Sequence, residues 1–256
     1  MCPCDRQGNM SRNPKRLQLQ TLYNVRDLGG FSASGGRVTA HGRFLRSDAP
    51  VRLNAHDLQL LLDYPIHTVI DLRSLSEIQD QAPGLRDHPA VTYHNIPLLG
   101  SDLEAEIAAL PGFEVGREQI GLPDLYVYLL DHARDSLGQV FRLLAEVRDN
   151  GACLFHCSHG KDRTGLVAAL LLMLAGVSDP DIVEDYQISS AYLKPWFDTF
   201  ISSVPEDTLH FFQTDPQNMI LTLNYFRRHY DSAENFMLIC GLNQKEITRL
   251  QEKMLS

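Results

Sequence analysis

Residues 152–165 read ACLFHCSHGKDRTG and run straight into the apolar stretch 166–177, LVAALLLMLAGV. The four apolar residues at 152–155 suit a central strand, and 166–177 suits a buried helix, with a tight glycine-containing loop between them. Strand, short loop and buried helix form the unit of an α/β sheet, so the expected fold is a central, mainly parallel sheet flanked by helices. The apolar stretch is well short of the ~18–20 residues that cross a bilayer, so no integral membrane segment is expected.

The remaining pattern fits around that unit. Residues 23–48 mix glycine pairs with short apolar runs, as turns joined by short strands do. Helical spacing covers 54–62, and 67–72 and 91–99 read as strands. From 124 to 147 apolar residues recur every three or four positions, as in one amphipathic helix or two with a break. After the loop unit the chain reads as helix-rich: Ser178 with Pro180 opens one helix, Asp215 with Pro216 opens another that runs to Tyr230, and 242–255 forms a last one. The expected organisation is a polar, frayed tail over 1–20 and a single domain over 21–256.

Lys plus Arg number 23 against 32 Asp plus Glu, a net charge of -9, which argues against nucleic acid or an anionic membrane as the main partner. The five cysteines (Cys2, Cys4, Cys153, Cys157 and Cys240) have no framework spacing, and the first twenty residues hold no signal-like apolar segment. Both point to a cytoplasmic chain with free thiols.

Cys157 is the cysteine placed for chemistry. It lies where a strand ends and a helix begins, and a helix N-terminus offers free N–H groups and a positive dipole end to an anion. A ring of backbone N–H groups from the loop, Ser158, His159, Gly160, Lys161, Asp162 and Gly165 included, would cradle a phosphate and favour a thiolate at Cys157. Gly160 permits the tight turn, and Arg163 offers a planar fork to two phosphoryl oxygens. Thr164 is positioned to donate its hydroxyl toward the sulfur, and Lys161 reads as a mobile cation at the rim. Cys153, flanked by apolar residues, reads as an inert core thiol. His156, Cys157 and His159 find no fourth ligand at zinc-site spacing, so no metal and no cofactor are expected. His156 is expected to hydrogen-bond the loop backbone instead.

The string HCSHGKDRTG resembles the phosphate-binding loop of cysteine-dependent tyrosine-protein phosphatases, and its GKDRTG part is similar to the microbial dual- and triple-specificity branch. NVRDLGG at 24–30, GRFLRSD at 42–48, DLRSLSE at 71–77 and DYQIS at 185–189 match recurring blocks of that branch in order. The resemblance implies a protein tyrosine phosphatase-like fold and a two-step reaction through a cysteinyl-phosphate without metal. The implied substrates are phosphorylated proteins, by way of phosphotyrosine and also phosphoserine or phosphothreonine, or phosphoinositides. It also implies a general acid from the segment 97–104, where Asp102 is the candidate, with Glu104 and the loop's own Asp162 as rivals. Asp71 and Arg73 read as a structural ion pair near the loop.

Two other classes use a similar loop. A binding module would capture phosphorylated partners without turnover, and a sulfurtransferase or arsenate-reducing thiol enzyme would need neither Thr164 nor a distal acid.

Overall fold

The computed structural model describes residues 16–79, 84–100, 121–204, 209 and 212–256. In chain order the described elements are β1 (Arg26–Asp27), β2 (Phe44–Ser47), α1 (Ala55–Asp63), β3 (Ile66–Asp71), α2 (Leu75–Ile78) and β4 (Thr92–Asn95). They continue with α3 (Leu122–His132), α4 (Arg134–Glu146), β5 (Ala152–His156), α5 (Asp162–Ala175), α6 (Asp179–Phe197), α7 (Pro216–Tyr230), α8 (Ala233–Ile239) and α9 (Gln244–Met254). The strands form a sheet in the order β1-β2-β5-β3-β4, antiparallel between β1 and β2 and parallel elsewhere. The expected architecture is therefore present: a central, mainly parallel sheet with helices on its faces and a helix-rich C-terminal part.

Alternation along β5 explains why it takes the centre. Cys153 and Phe155 face one apolar cluster, which holds α3 to α5 and the C-terminal helices, while Ala152 and Leu154 face the other, with Leu61, Val69 and Leu85. A strand buried on both faces needs apolar residues at every position, which is what 152–155 supply. Helix α5 is apolar all round, and its leucines 166, 170, 171, 172 and 174 are buried. Each such side chain stabilises the fold by about 1.5–3 kcal/mol through removal from water. The helix ends on Gly176 at φ 76°, where a Cβ would meet Ser34 Cβ at 2.6 Å. Only glycine fits that left-handed cap.

Several boundaries differ from the sequence reading. The stretch 124–147 is two helices, because Ala133 leaves helical dihedrals (φ -97°, ψ 23°) between α3 and α4. Strand β4 stops at Asn95, two residues before Pro97, whose missing N–H cannot continue a ladder. The C-terminal region carries an extra short helix, α8, capped by Ser232, before α9 starts at the Asn243 cap. Of the tail expected to fray over 1–20, residues 1–15 lie outside the described residues, whereas Arg16 to Gln20 are tied down, together with Thr21 of the expected domain. Leu17 N donates to Val25 O at 3.1 Å, and Gln20 N and Thr21 N donate to the Asp57 carboxylate. No described helix is long and apolar enough to cross a membrane.

Candidate active site

Strand β5 ends at His156, paired with Ser47 of β2 on one side and Asp71 of β3 on the other, so Cys157 emerges between two parallel strands at their C-terminal edge. That edge is where open α/β sheets hold their ligands. Cys157 is 3% exposed, and α5 begins five residues on, its first free N–H groups facing the loop end. Gly160 has φ 65°, and a Cβ there would lie 2.3 Å from Ser47 O. The close approach of the loop to β2 thus demands glycine, as its place in the sequence implied.

The underside of the loop is held by side chains from three distant blocks. Asn24 Nδ2 donates to His159 O (2.9 Å) and Gly160 O (3.0 Å). Arg46 Nη2 donates to Gly160 O (2.7 Å) and Lys161 O (3.2 Å), and its Nη1 donates to Asp185 Oδ2 at 2.5 Å. Asp185 Oδ1 receives Arg26 Nε at 2.7 Å, and Arg26 Nη2 also reaches Ser189 Oγ at 2.9 Å. Burial alone would raise the Asp185 carboxyl, but the two guanidiniums outweigh it and hold the group below its ordinary value. Burial and the neighbouring Arg46 bring Arg26 down to about 10. These contacts give NVRDLGG, GRFLRSD and DYQIS one physical role, the fixing of loop carbonyls by buried side chains.

Arg163, 12% exposed at its side chain, is held in a fork-to-fork pair: Nη1 donates to Glu77 Oε2 at 2.6 Å and Nη2 to Glu77 Oε1 at 2.7 Å. Glu77 Oε1 also accepts from Ser158 Oγ at 2.7 Å, and Oε2 accepts from Ser74 N at 2.9 Å in a capping box that opens α2. Burial pushes the Glu77 carboxyl up, but the Arg163 hydrogen bonds and charge bring it down to about 2. The pair fixes the plane of the guanidinium with both Nη atoms on Glu77, so the fork faces a carboxylate here and not the two phosphoryl oxygens expected from the sequence. Ser158 therefore spends its hydroxyl on Glu77.

Around this pair, His156 is buried and pushed down to about 4 by desolvation, so its ring is neutral; Nδ1 lies 3.2 Å from Cys157 O, the loop-backbone contact the sequence suggested. Asp71 and Arg73 form the expected buried ion pair, with Arg73 Nη2 at 2.6 Å from Asp71 Oδ2, and Tyr93 Oη also donates to Oδ2 at 2.9 Å. Thr164 Oγ1 is buried with no hydrogen-bond partner among the described residues. Gly165 lies inside α5, where a Cβ would come within 3.2 Å of Tyr186 and 3.3 Å of Arg46.

Lys161 corrects the sequence reading. It is fully buried, not a mobile cation at the rim, because its ammonium reaches Asp162 Oδ1 (2.8 Å) and Gln213 O (3.2 Å) beneath the loop. Asp162 Oδ1 also accepts from Tyr126 Oη at 2.5 Å, and Tyr126 is 2.8 Å from Tyr186 Oη. Cys153 is buried in the core, and burial pushes its thiol up, away from reactivity. Asp102 and Glu104 lie outside the described residues, as do Cys2 and Cys4.

Sequence reasoning placed Cys157, Arg163 and Thr164 together, and they do share this loop and helix start. It gave Glu77 no role. The signal was present in Ser74-x-x-Glu77, a capping box that fixes the carboxylate's position.

The site is thus a buried cysteine at a strand end, an arginine held by a carboxylate and a glycine-turned loop on a helix N-terminus. Residues 17–256 match the model of the tyrosine phosphatase family, and the chain belongs to that family. It is 38% identical over 156 residues to a tyrosine-protein phosphatase of Nostoc commune, covering 59% of this chain and 49% of that one. It is 31% identical over 174 residues to a putative tyrosine-protein phosphatase of Cupriavidus necator, covering 66% and 61%. With the triple specificity protein phosphatase PtpB of Mycobacterium tuberculosis the identity is 30% over 193 residues, covering 66% and 67%. The chain thus spans about half the length of the first of these relatives. Among solved structures, P. aeruginosa TpbA in complex with pTyr aligns over 81% of this chain and 91% of its own, at 18% identity and a TM-score of 0.42.

Proposed function

We propose that this chain hydrolyses phosphate monoesters through a cysteinyl-phosphate, acting on phosphotyrosine in proteins and also on phosphoserine, phosphothreonine or phosphoinositides. The observation that carries the reading is the Arg163 fork fixed by Glu77 beside a 3%-exposed Cys157 on a helix N-terminus. The breadth of substrate rests on the likeness to a relative named for triple specificity. The unpaired state of Cys153, Cys157 and Cys240 supports a reducing compartment such as the cytoplasm.

In the first step the Cys157 sulfur attacks phosphorus in line, the phosphorus–oxygen ester bond breaks, and the leaving oxygen takes a proton from a carboxylic acid. We assign that acid to Asp102, with Glu104 and Asp162 as the rivals. In the second step the resulting carboxylate takes a proton from water, the water oxygen bonds to phosphorus, and the sulfur departs with its electron pair. The Thr164 hydroxyl, with no partner among the described residues, stabilises that departing sulfur. The loop N–H groups and Arg163 supply charge stabilisation throughout, the largest contribution in most phosphoryl transfers.

The test is turnover of phosphotyrosine, phosphoserine and phosphoinositide substrates by purified protein and by Cys157→Ser. Turnover should fall to less than about a tenth in the variant while substrate binding survives. Tight binding by the native chain without turnover would instead make it a binding module, and thiosulfate or arsenate turnover would make it another thiol enzyme.

A further inference from the structure

The only tryptophan in the chain stands beside the phosphate loop. The Trp196 ring lies 4.8 Å from the His159 ring, centroid to centroid, at an interplanar angle of 42°. His159 is two residues from Cys157 in the loop itself, and it is half-buried, with Asp162, Lys161, Arg163 and Glu77 within electrostatic reach of its ring. Phe197 (5.2 Å) and Phe200 (4.6 Å) brace Trp196 from its own helix and the residues after it, so the indole stays half-buried with part of its surface toward solvent. Cys157 at 3% exposure and Arg163 at 12% sit deep, so a phosphoryl group that reaches them draws its ester group down against the rim.

We infer that Trp196 and His159 form an aromatic wall that receives the flat ring of an aryl phosphate, which makes Trp196 a specificity-determining residue for phosphotyrosine over alkyl phosphates. This rests on the phosphatase reading above. Ring-on-ring contact is sensitive to geometry and rewards a planar leaving group, whereas a serine phosphate has no surface to offer the wall. Burial keeps the His159 imidazole below its ordinary value, which leaves it an uncharged ring near neutral pH.

The experiment compares phenyl phosphate with phosphoserine as substrates of the full chain, of Trp196→Ala and of Trp196→Phe, with orthovanadate inhibition as the control for an intact loop. Trp196→Ala should lose about tenfold in kcat/KM on phenyl phosphate, mostly through KM, and less than about twofold on phosphoserine, with vanadate inhibition kept. Trp196→Phe should retain at least about half of the aryl preference. Equal losses on both esters, or no loss on phenyl phosphate, overturn the inference while leaving the phosphatase reading standing. Where Trp196→Ala loses vanadate binding, the ratio in Trp196→Leu decides by the same criterion. Absence of turnover of both esters by the native chain overturns the phosphatase reading and the wall with it.

Discussion

Arg163 and Glu77 meet fork to fork, at 2.6 and 2.7 Å, although they are 86 residues apart in the chain. The geometry makes Glu77 a positioning residue for the arginine. Glu77→Gln keeps the size of the side chain but removes the charge, and kcat should fall about 30-fold, roughly 2 kcal/mol of transition-state stabilisation. KM should change by less than about threefold. Steady-state kinetics on an aryl phosphate check the split; a loss confined to KM would contradict it.

The buried hub Asp185 neutralises two guanidiniums at once. Asp185→Asn leaves Arg26 and Arg46 buried and uncompensated, which should destabilise the fold by about 3–5 kcal/mol. A shift in the denaturant midpoint measures this, and a change under about 1 kcal/mol would show that the hub is dispensable.

Stability and catalysis should part at Thr164. Its hydroxyl is buried without a partner among the described residues, so Thr164→Val, which keeps the shape, should leave stability unchanged or raise it by up to about 1–2 kcal/mol. The same change should slow breakdown of the cysteinyl-phosphate more than its formation, visible as a larger burst of released alcohol. A smaller burst would remove the assigned role.

These residues also mark how far the sequence reached. The strand–loop–helix unit and its cysteine and arginine were legible because local pattern fixes them: apolar residues on both faces of β5, a glycine turn, a helix start. The supports of the loop were not, since Asn24 and Arg46 meet it only through the tertiary fold, over separations of up to 136 residues, and Asp185 acts through Arg46, 139 residues away. Lys161 was misjudged for a related reason. A lysine in a polar loop reads as exposed, and only the packing of Gln213 and Asp162 around it buries the ammonium. The break at Ala133 carries no glycine or proline, so periodicity alone left one helix or two open.

Two buried groups beside the loop give opposite dependences on pH. Burial lowers His156 to about 4, so the folded state binds fewer protons than the unfolded chain between about 6.5 and 4, and its contribution to stability is lost as pH falls through that window. Burial raises Asp48 to about 6, so the folded state binds more protons between about 6 and 4, and stability is gained as pH falls. The two partly cancel. Asp48→Asn should therefore make stability fall more steeply from pH 6 to 4, read from denaturant midpoints at several pH values. An unchanged slope would contradict the assignment.

The acid is identified by its pH profile. Asp102→Asn should flatten the fall of the rate from acidic to neutral pH, where a general acid loses its proton, and slow aryl phosphates with poor leaving groups most. If Asp162→Asn or Glu104→Gln does this instead, the proton comes from that residue.

The most direct measurement is a rapid acid quench of the native chain with an aryl phosphate, followed by peptide mass spectrometry. A phosphoryl group on the peptide carrying Cys157, formed at least as fast as steady-state turnover, is the predicted result. Turnover with no phosphoryl group on Cys157 at any quench time, or a phosphoryl group on another residue, would contradict the account.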